Sequence, residues 1–448
     1  MASDNRTRLK QWLESGEARL QPVTFPQREL WETSPAPVAA VANHICCFIE
    51  ARGAITQRDC EAALQRVVER QEALRVSFLP GKERPVQMIR ATCEPTLHFR
   101  ELSQAEGQPE ALEEITQQAF RVPFDLVQGP LYRVELLRRS ADNHVLVLSL
   151  HHAIADGWTL GVFIQDLCGA YVMGLRGIRE ALPPVPLSYT AWGAAERAFW
   201  QPAQIEPRAA FWKKLLAGSR PLFGGVGGAA GTAPLQRFVS RVPEEAASAV
   251  KALGRQSGAT LFSTLLAMFQ AAISKWTGAE DILVGAPVAN RNKEDTHETM
   301  GYFSGIVPLR GQVDRNQPFT EHLKSVHAET VECFANAMPF AELAGALGAS
   351  NALGQHTVFD VRFALQNHPI PDVALPGLSA RLRMRSTGTA RFDLGCEITE
   401  DGAEFEVVWL FRANKFSKQE IEELRGLFTG MLASACGSSE RRPAALMI

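Results

Sequence analysis

At 448 residues the chain exceeds what one hydrophobic core usually supports, so two domains of similar size with a cleft between them are the starting expectation. A hydrophobic share of 46% beside 21% charged residues is that of a soluble globular protein and excludes a disordered chain. A formal net charge of -3 carries no electrostatic footprint for nucleic acid or an anionic membrane surface, which excludes both as principal partners.

The opening stretch MASDNRTRLKQWLES is polar and lacks an apolar signal core, and no run of about 18 apolar residues follows, so a cytoplasmic location is expected. Along the chain, NHICCFIE at 43–50 reads as a core strand. Ile55-Thr56 opens a helix with Cys60, Leu64, Val67 and Leu74 on one face, and Thr56 with Asp59 gives its N-cap signature. LYRVELLR at 131–138 and HVLVLSL at 144–150 read as a hairpin joined by the SADN turn. Beyond Asp156-Gly157, Leu160, Phe163, Ile164, Leu167 and Tyr171 recur at helical spacing. The proline-rich segment 181–192 suits neither helix interior nor central strand, and the division between lobes 1–180 and 181–448 is placed there. After a Gly-rich loop at 224–231, the second half has helices around 260–276 and 319–336, and strands at 281–289 and 357–366. A hairpin turning at Glu400-Asp401-Gly402 and a closing helix from 418 to 434 complete it. Both halves read as α/β with mixed or antiparallel sheets and flanking helices.

The segment His151-His152-Ala153-Ile154-Ala155-Asp156-Gly157 carries the chemistry, because it follows an apolar strand at its C-terminal end. In a chain of this composition the pattern HHxxxDG arises by chance on the order of once in a thousand. Histidine titrates near neutrality, so one imidazole can take a proton from an attacking amine or hydroxyl while the other orients it. His152 is the candidate base and His151 its companion. Asp156, buried at such a junction, needs a cation, and Arg291 at the end of Ala286-Pro287-Val288-Ala289-Asn290-Arg291 is the expected partner in a structural ion pair. Gly157 permits a tight turn and opens a helix whose N–H groups favour developing negative charge. His144 and His356 read instead as structural. Adjacent histidines on a strand point to opposite faces, and the eight cysteines show neither CxxC nor metal-finger spacing, so no metal is expected. There is no GxSxG, GxxxxGK[ST] or GxGxxG signature either.

These segments resemble the condensation domains of nonribosomal peptide synthesis, within the chloramphenicol-acetyltransferase-like superfamily. VTFPQRELW at 23–31 is similar to the family's SxAQxRLW opening, with Pro26 where alanine is usual. ERQEALRVSF at 69–78 is similar to RHxxLRTxF, with Gln71 in place of histidine. FDLVQGPLYRVELL at 124–137, HHAIADGW at 151–158 and SYTAW at 188–192 follow in family order. VGAPVANR at 284–291 and MGYFSGIVPLR at 300–310 resemble GxPxxxR and GxFxNxxxLR, with Ser304-Gly305 where valine-asparagine is usual, and RFDLGCEI at 391–398 resembles YDLxLxx.

The resemblance implies two acetyltransferase-like lobes in a V-shaped pseudo-dimer with a central tunnel. It implies His152 as the catalytic histidine, with Asp156 and Arg291 paired across the interface. The activity implied is attack by an acceptor amine, or a hydroxyl, on an acyl thioester presented by a peptidyl or acyl carrier protein. No cofactor is held by the chain itself, since the phosphopantetheine arm comes with the carrier, and the acceptor is a small molecule or a second loaded carrier. Gln71 and Ser304-Gly305 are expected to alter the tunnel wall. One condensation unit accounts for the whole sequence, expected to be either free-standing or excised from a larger synthetase. An acyltransferase or epimerising relative and a noncatalytic module recruiting partners to a carrier are the alternative readings.

Overall fold

The computed structural model describes residues 2–32, 39–225, 235–348, 358–366, 373–375, 378–385 and 392–435. Two six-stranded mixed sheets organise it, with a third, three-stranded sheet at the side. In the N-terminal half, His44–Arg52, Asn143–His151 and Tyr132–Ser140 pair antiparallel, and Leu97–Glu101 adds a parallel edge. The backbone of Leu378–Arg385 pairs with His44–Arg52, with Val373–Leu375 beyond it, so two strands from late in the chain complete the first half's sheet. The second sheet runs Gly305–Gln312, Asp281–Val288, Val361–Gln366, Leu394–Asp401, Glu404–Arg412 and Leu235–Val242, with Val361–Gln366 parallel to both neighbours.

Local chemistry accounts for the element ends. Thr56 accepts the Asp59 N–H at the start of helix Gln57–Arg70, and Ser417 forms a reciprocal capping box with Glu420 before Lys418–Ser434. Helix Leu261–Thr277 stops where Gly278 adopts φ 84°, a left-handed cap only glycine takes cheaply. The hairpin turn near 400 falls one residue later than its sequence suggests, between Asp401 and Glu404. The proline-rich linker does not stay irregular to residue 192: Ser188 caps a helix, Tyr189–Phe199, that runs on from it. The strand expected at 357–366 spans Val361–Gln366, while residue 357, most of the Gly-rich loop, His356 and Cys436 lie outside the described residues.

Each sheet buries an apolar face under helices. In the N-terminal half, Leu64 and Val67 of one helix meet Leu160, Phe163 and Ile164 of helix Gly157–Leu175 over Leu148 and Leu150 of the sheet. That last helix is long and apolar enough to cross a membrane, but half of its most apolar window is buried in this core. In the C-terminal half, the ring of Phe269 packs within about 6 Å of those of Phe363, Trp409 and Phe428, and Trp409 and Phe428 pack on each other. Met300 and Tyr302, which belong by sequence to the second half, are buried in the core of the first.

Candidate active site

The strand Asn143–His151 lies between two antiparallel neighbours, which fixes the alternation of its side chains. His151 therefore turns inward. It is fully buried, its ring edge-on to His44 and Phe124, and its Nδ1 accepts the Ala153 N–H at 3.1 Å, which places its proton on Nε2. Burial lowers the pKa of the neighbouring His44, whose Nδ1 lies 3.0 Å from the Phe120 carbonyl oxygen. The chain then makes a 3₁₀ turn over His152–Ile154, and Gln27 from the opening motif donates to the Ala153 carbonyl at 2.9 Å. His152, on the opposite face, is partly exposed, and its ring sits 4.3 Å from that of Tyr302 at 58°.

Asp156 is the N-cap of helix Gly157–Leu175, and its Oδ1 accepts the Thr159 N–H at 3.0 Å. Arg291, 135 residues away, reaches the same oxygen at 3.3 Å, with both side chains almost wholly buried. Burial pulls the Arg291 pKa down and the charge of Asp156 pushes back, so the ion pair is what keeps a guanidinium tolerable here. Arg291 also lies 3.8 Å over the ring centre of Phe303. Gly157 is simply the first helical residue; its φ is not left-handed, and the Thr159 N–H nearby is already held by Asp156.

The segment 296–304 is strapped across the seam between the halves by side chains bonded to its backbone. Arg291 Nη1 donates to the carbonyls of Thr296 (2.6 Å) and Thr299 (2.8 Å), and Trp158 Nε1 to that of His297 (3.0 Å). Gln71 donates to the Glu298 carbonyl and accepts the Met300 N–H, both at 2.9 Å. The Thr159 hydroxyl bonds the Gly301 carbonyl (2.9 Å) and N–H (3.2 Å). The Tyr189 hydroxyl donates to the Tyr302 carbonyl at 2.6 Å, and Asp156 Oδ2 accepts the N–H groups of Phe303 (3.0 Å) and Ser304 (3.3 Å). Asn290 closes the series by donating to the Phe303 carbonyl at 3.0 Å. Gly301 has to be glycine, because an added Cβ would stand 2.2 Å from the Tyr189 ring.

Among the described residues, no group of three or more His, Cys, Asp or Glu lies together as a metal site would. A cavity of about 350 Å³ lies between Val23, Phe25, Arg28, Arg84 and Arg197, and its lining includes neither histidine.

A family model described as "Condensation domain" matches residues 17–445. The chain belongs to the condensation-domain family. It is 28% identical over 389 residues to malpibaldin synthetase of Mortierella alpina, covering 85% of this chain and 7% of that one. It is 29% identical over 437 residues to phosphinothricin tripeptide synthetase PhsB of Streptomyces viridochromogenes, covering 95% of this chain and 36% of that one. The condensation domain thus spans a minor part of the length of these relatives. Among solved structures, it superposes on the X-domain from teicoplanin biosynthesis with a TM-score of 0.83 at 20% identity, covering 95% of this chain and 97% of that one. The first condensation domain of the calcium-dependent antibiotic synthetase, in complex with substrate analogue 3a, follows at 0.80 and 21%, covering 96% and 98%. These likenesses establish the two-sheet fold.

Within this condensation domain the expected site residues come together as a junction. Asp156 meets Arg291, His152 lies one turn away, and His151 is separated from them by the strand itself. The departures have structural meanings that spacing did not convey. Gln71, expected to alter a tunnel wall, is buried in the seam, where its amide makes three bonds: to Asp166, Glu298 and Met300. A neutral imidazole has one donor and one acceptor, so the glutamine adds a contact. Arg70 pairs with both Asp166 and Glu298 beside it. At Gly305 an added Cβ would approach Asn290 Nδ2 to 3.0 Å, so the missing side chain leaves room for Asn290, itself at φ 52°. Thr159 escaped sequence reasoning, and Tyr189, Asn290 and Tyr302 entered it only as members of motif segments, without a role. Only Thr159 carried a local signal, since Asp-x-x-Thr before an apolar run is a capping pattern.

Proposed function

We propose that this condensation domain joins an acyl group, delivered as a carrier-bound thioester, to an acceptor amine, with His152 acting on the acceptor. The observation that carries the reading is the asymmetry of the pair: His151 is locked in the core, while His152 is partly exposed at the seam beside the intact Asp156–Arg291 pair. The acceptor nitrogen attacks the thioester carbonyl carbon and loses a proton to the His152 imidazole. The tetrahedral intermediate collapses, the carbon–sulfur bond breaks, and the proton passes to the departing thiolate, giving an amide and the free carrier thiol. A thioester is already activated, so holding the nucleophile in place supplies much of the rate, and proton transfer the rest. His151 acts indirectly, by fixing the turn that presents His152, and Asp156 with Arg291 by fixing the segment that faces it. An acceptor hydroxyl would give an ester by the same steps.

The test incubates the purified protein with an acyl-loaded carrier, a panel of amines and alcohols and a second loaded carrier, following carrier and product by mass spectrometry. The expected result is acyl loss with a new amide, slowed by about 10²- to 10⁴-fold in His152→Ala. A carrier that binds tightly yet stays loaded with every acceptor would favour a recruitment role instead.

A further inference from the structure

Resting on the reading of His152 as the acting base, we propose that Tyr302 is a positioning residue that sets the orientation of the His152 imidazole across the seam. Tyr302 is 2% exposed, and its ring lies 4.3 Å from the His152 ring, tilted at 58°. A contact this close and this far from coplanar blocks rotation of the imidazole toward the tyrosine, leaving the ring one side from which to meet a substrate.

Tyr302 can serve as such a stop because its carbonyl and the backbone of the residues on either side of it are held. Its carbonyl accepts from Tyr189, the preceding Gly301 is bonded twice to Thr159, and the next two N–H groups are taken by Asp156. The Tyr189 hydroxyl is itself 2.8 Å from Thr24 Oγ1, and the Tyr189 ring packs edge-on to Phe303. The ring of Tyr302, from a segment that belongs by sequence to the second half, joins the apolar core of the N-terminal half, whose strand Asn143–His151 leads into the turn carrying His152. Asp156 therefore reaches His152 by two routes: through the chain, as cap of the following helix, and through space, by seating the segment whose tyrosine abuts the imidazole. The position of the base is then a property of both halves together, and any change that shifts segment 296–304 moves the ring with it.

The experiment compares Tyr302→Phe, Tyr302→Leu and the parent in the full chain. It measures kcat and KM for the acceptor across pH, and titrates the His152 ring by NMR, with the resonance assigned by its loss in His152→Gln. The expected result is that leucine lowers kcat by roughly 10- to 100-fold, as a nucleophile-orienting group displaced by about an ångström would. KM for the acceptor stays within a few-fold, the His152 titration curve moves, and phenylalanine, which keeps the ring, restores both readouts toward the parent. Unchanged kcat in a folded leucine variant overturns the proposal. So does a fall in kcat with an unmoved His152 resonance, since Tyr302 would then be touching substrate rather than the histidine. If His152→Ala turns over like the parent, the base assignment falls, and the resonance series alone decides whether Tyr302 orients the ring.

Discussion

The core beneath the second sheet and the seam between the halves are both buried, yet they are built in opposite ways. In the core, Phe269 packs on Phe363, Trp409 and Phe428, Trp409 packs on Phe428, and Phe363 also meets Phe262, so each ring has more than one neighbour to lean on. In the seam, the backbone groups of segment 296–304 are met by particular side chains, from Arg291 on the Thr296 carbonyl to Asp156 on the Ser304 N–H. Apolar packing is non-directional and degrades gradually, whereas a buried polar group that loses its partner costs the full desolvation penalty. The core therefore supplies stability, and the seam supplies position.

Asp156→Ala would break this comparison hardest. It leaves Arg291 buried without its counter-charge and releases the N–H groups of Phe303 and Ser304, so a loss of about 3–5 kcal/mol is expected in denaturant titration. Replacing Asp156 and Arg291 together by apolar residues should recover much of that stability, because a buried ion pair is often no better than good packing, but not the condensation rate. A rate restored along with stability would mean that the seam only holds the halves together.

Phe363→Ala sharpens the contrast from the core side. The ring is fully buried against Phe269 and Phe262, and its truncation should cost about 3–5 kcal/mol. Turnover per folded molecule should nevertheless stay close to the parent's at a temperature where both are folded. A large fall in kcat would show that the core also sets position.

A pH-dependent effect lies on helix Tyr189–Phe199, one face of which packs against the seam. Burial pushes the Glu196 carboxyl up to about 8 against hydrogen bonding from Trp200, and its enclosed Oε2 has no hydrogen-bond partner among the described residues. In the unfolded chain the same group titrates near its ordinary value of 4.5. Its contribution to stability is thus complete below that value and is lost as pH rises toward about 8. Glu196→Gln should match the parent's melting temperature near pH 4 and exceed it increasingly up to pH 9, as differential scanning fluorimetry would record. A gap independent of pH would show that the carboxyl is ionised in the fold.

How much of this was legible depends on how far apart the interacting groups lie in the chain. The strand Asn143–His151 and helix Gly157–Leu175 were readable from apolar and β-branched runs and from the 3.6-residue period, and the histidine motif was readable because it is contiguous. Asp156 and Arg291 could be paired from the need of a buried acid for a cation together with a family pattern. By contrast, the entry of Leu378–Arg385 into the first sheet, and the burial of Met300 and Tyr302 in the first core, had no periodic signature.

The sequence by itself determined where strand Asn143–His151, helices Gln57–Arg70 and Gly157–Leu175 and the His151-His152 motif would fall, because hydrophobic period and helix capping act between residues a few positions apart. Only the tertiary structure decided which histidine faces the seam, that Gln71 would clasp residues 227 and 229 positions away, and that Tyr302 would meet His152. Hydrogen bonds from side chains to a distant backbone follow no period, and any residue can supply the backbone, so such contacts exist only once both sheets are in place.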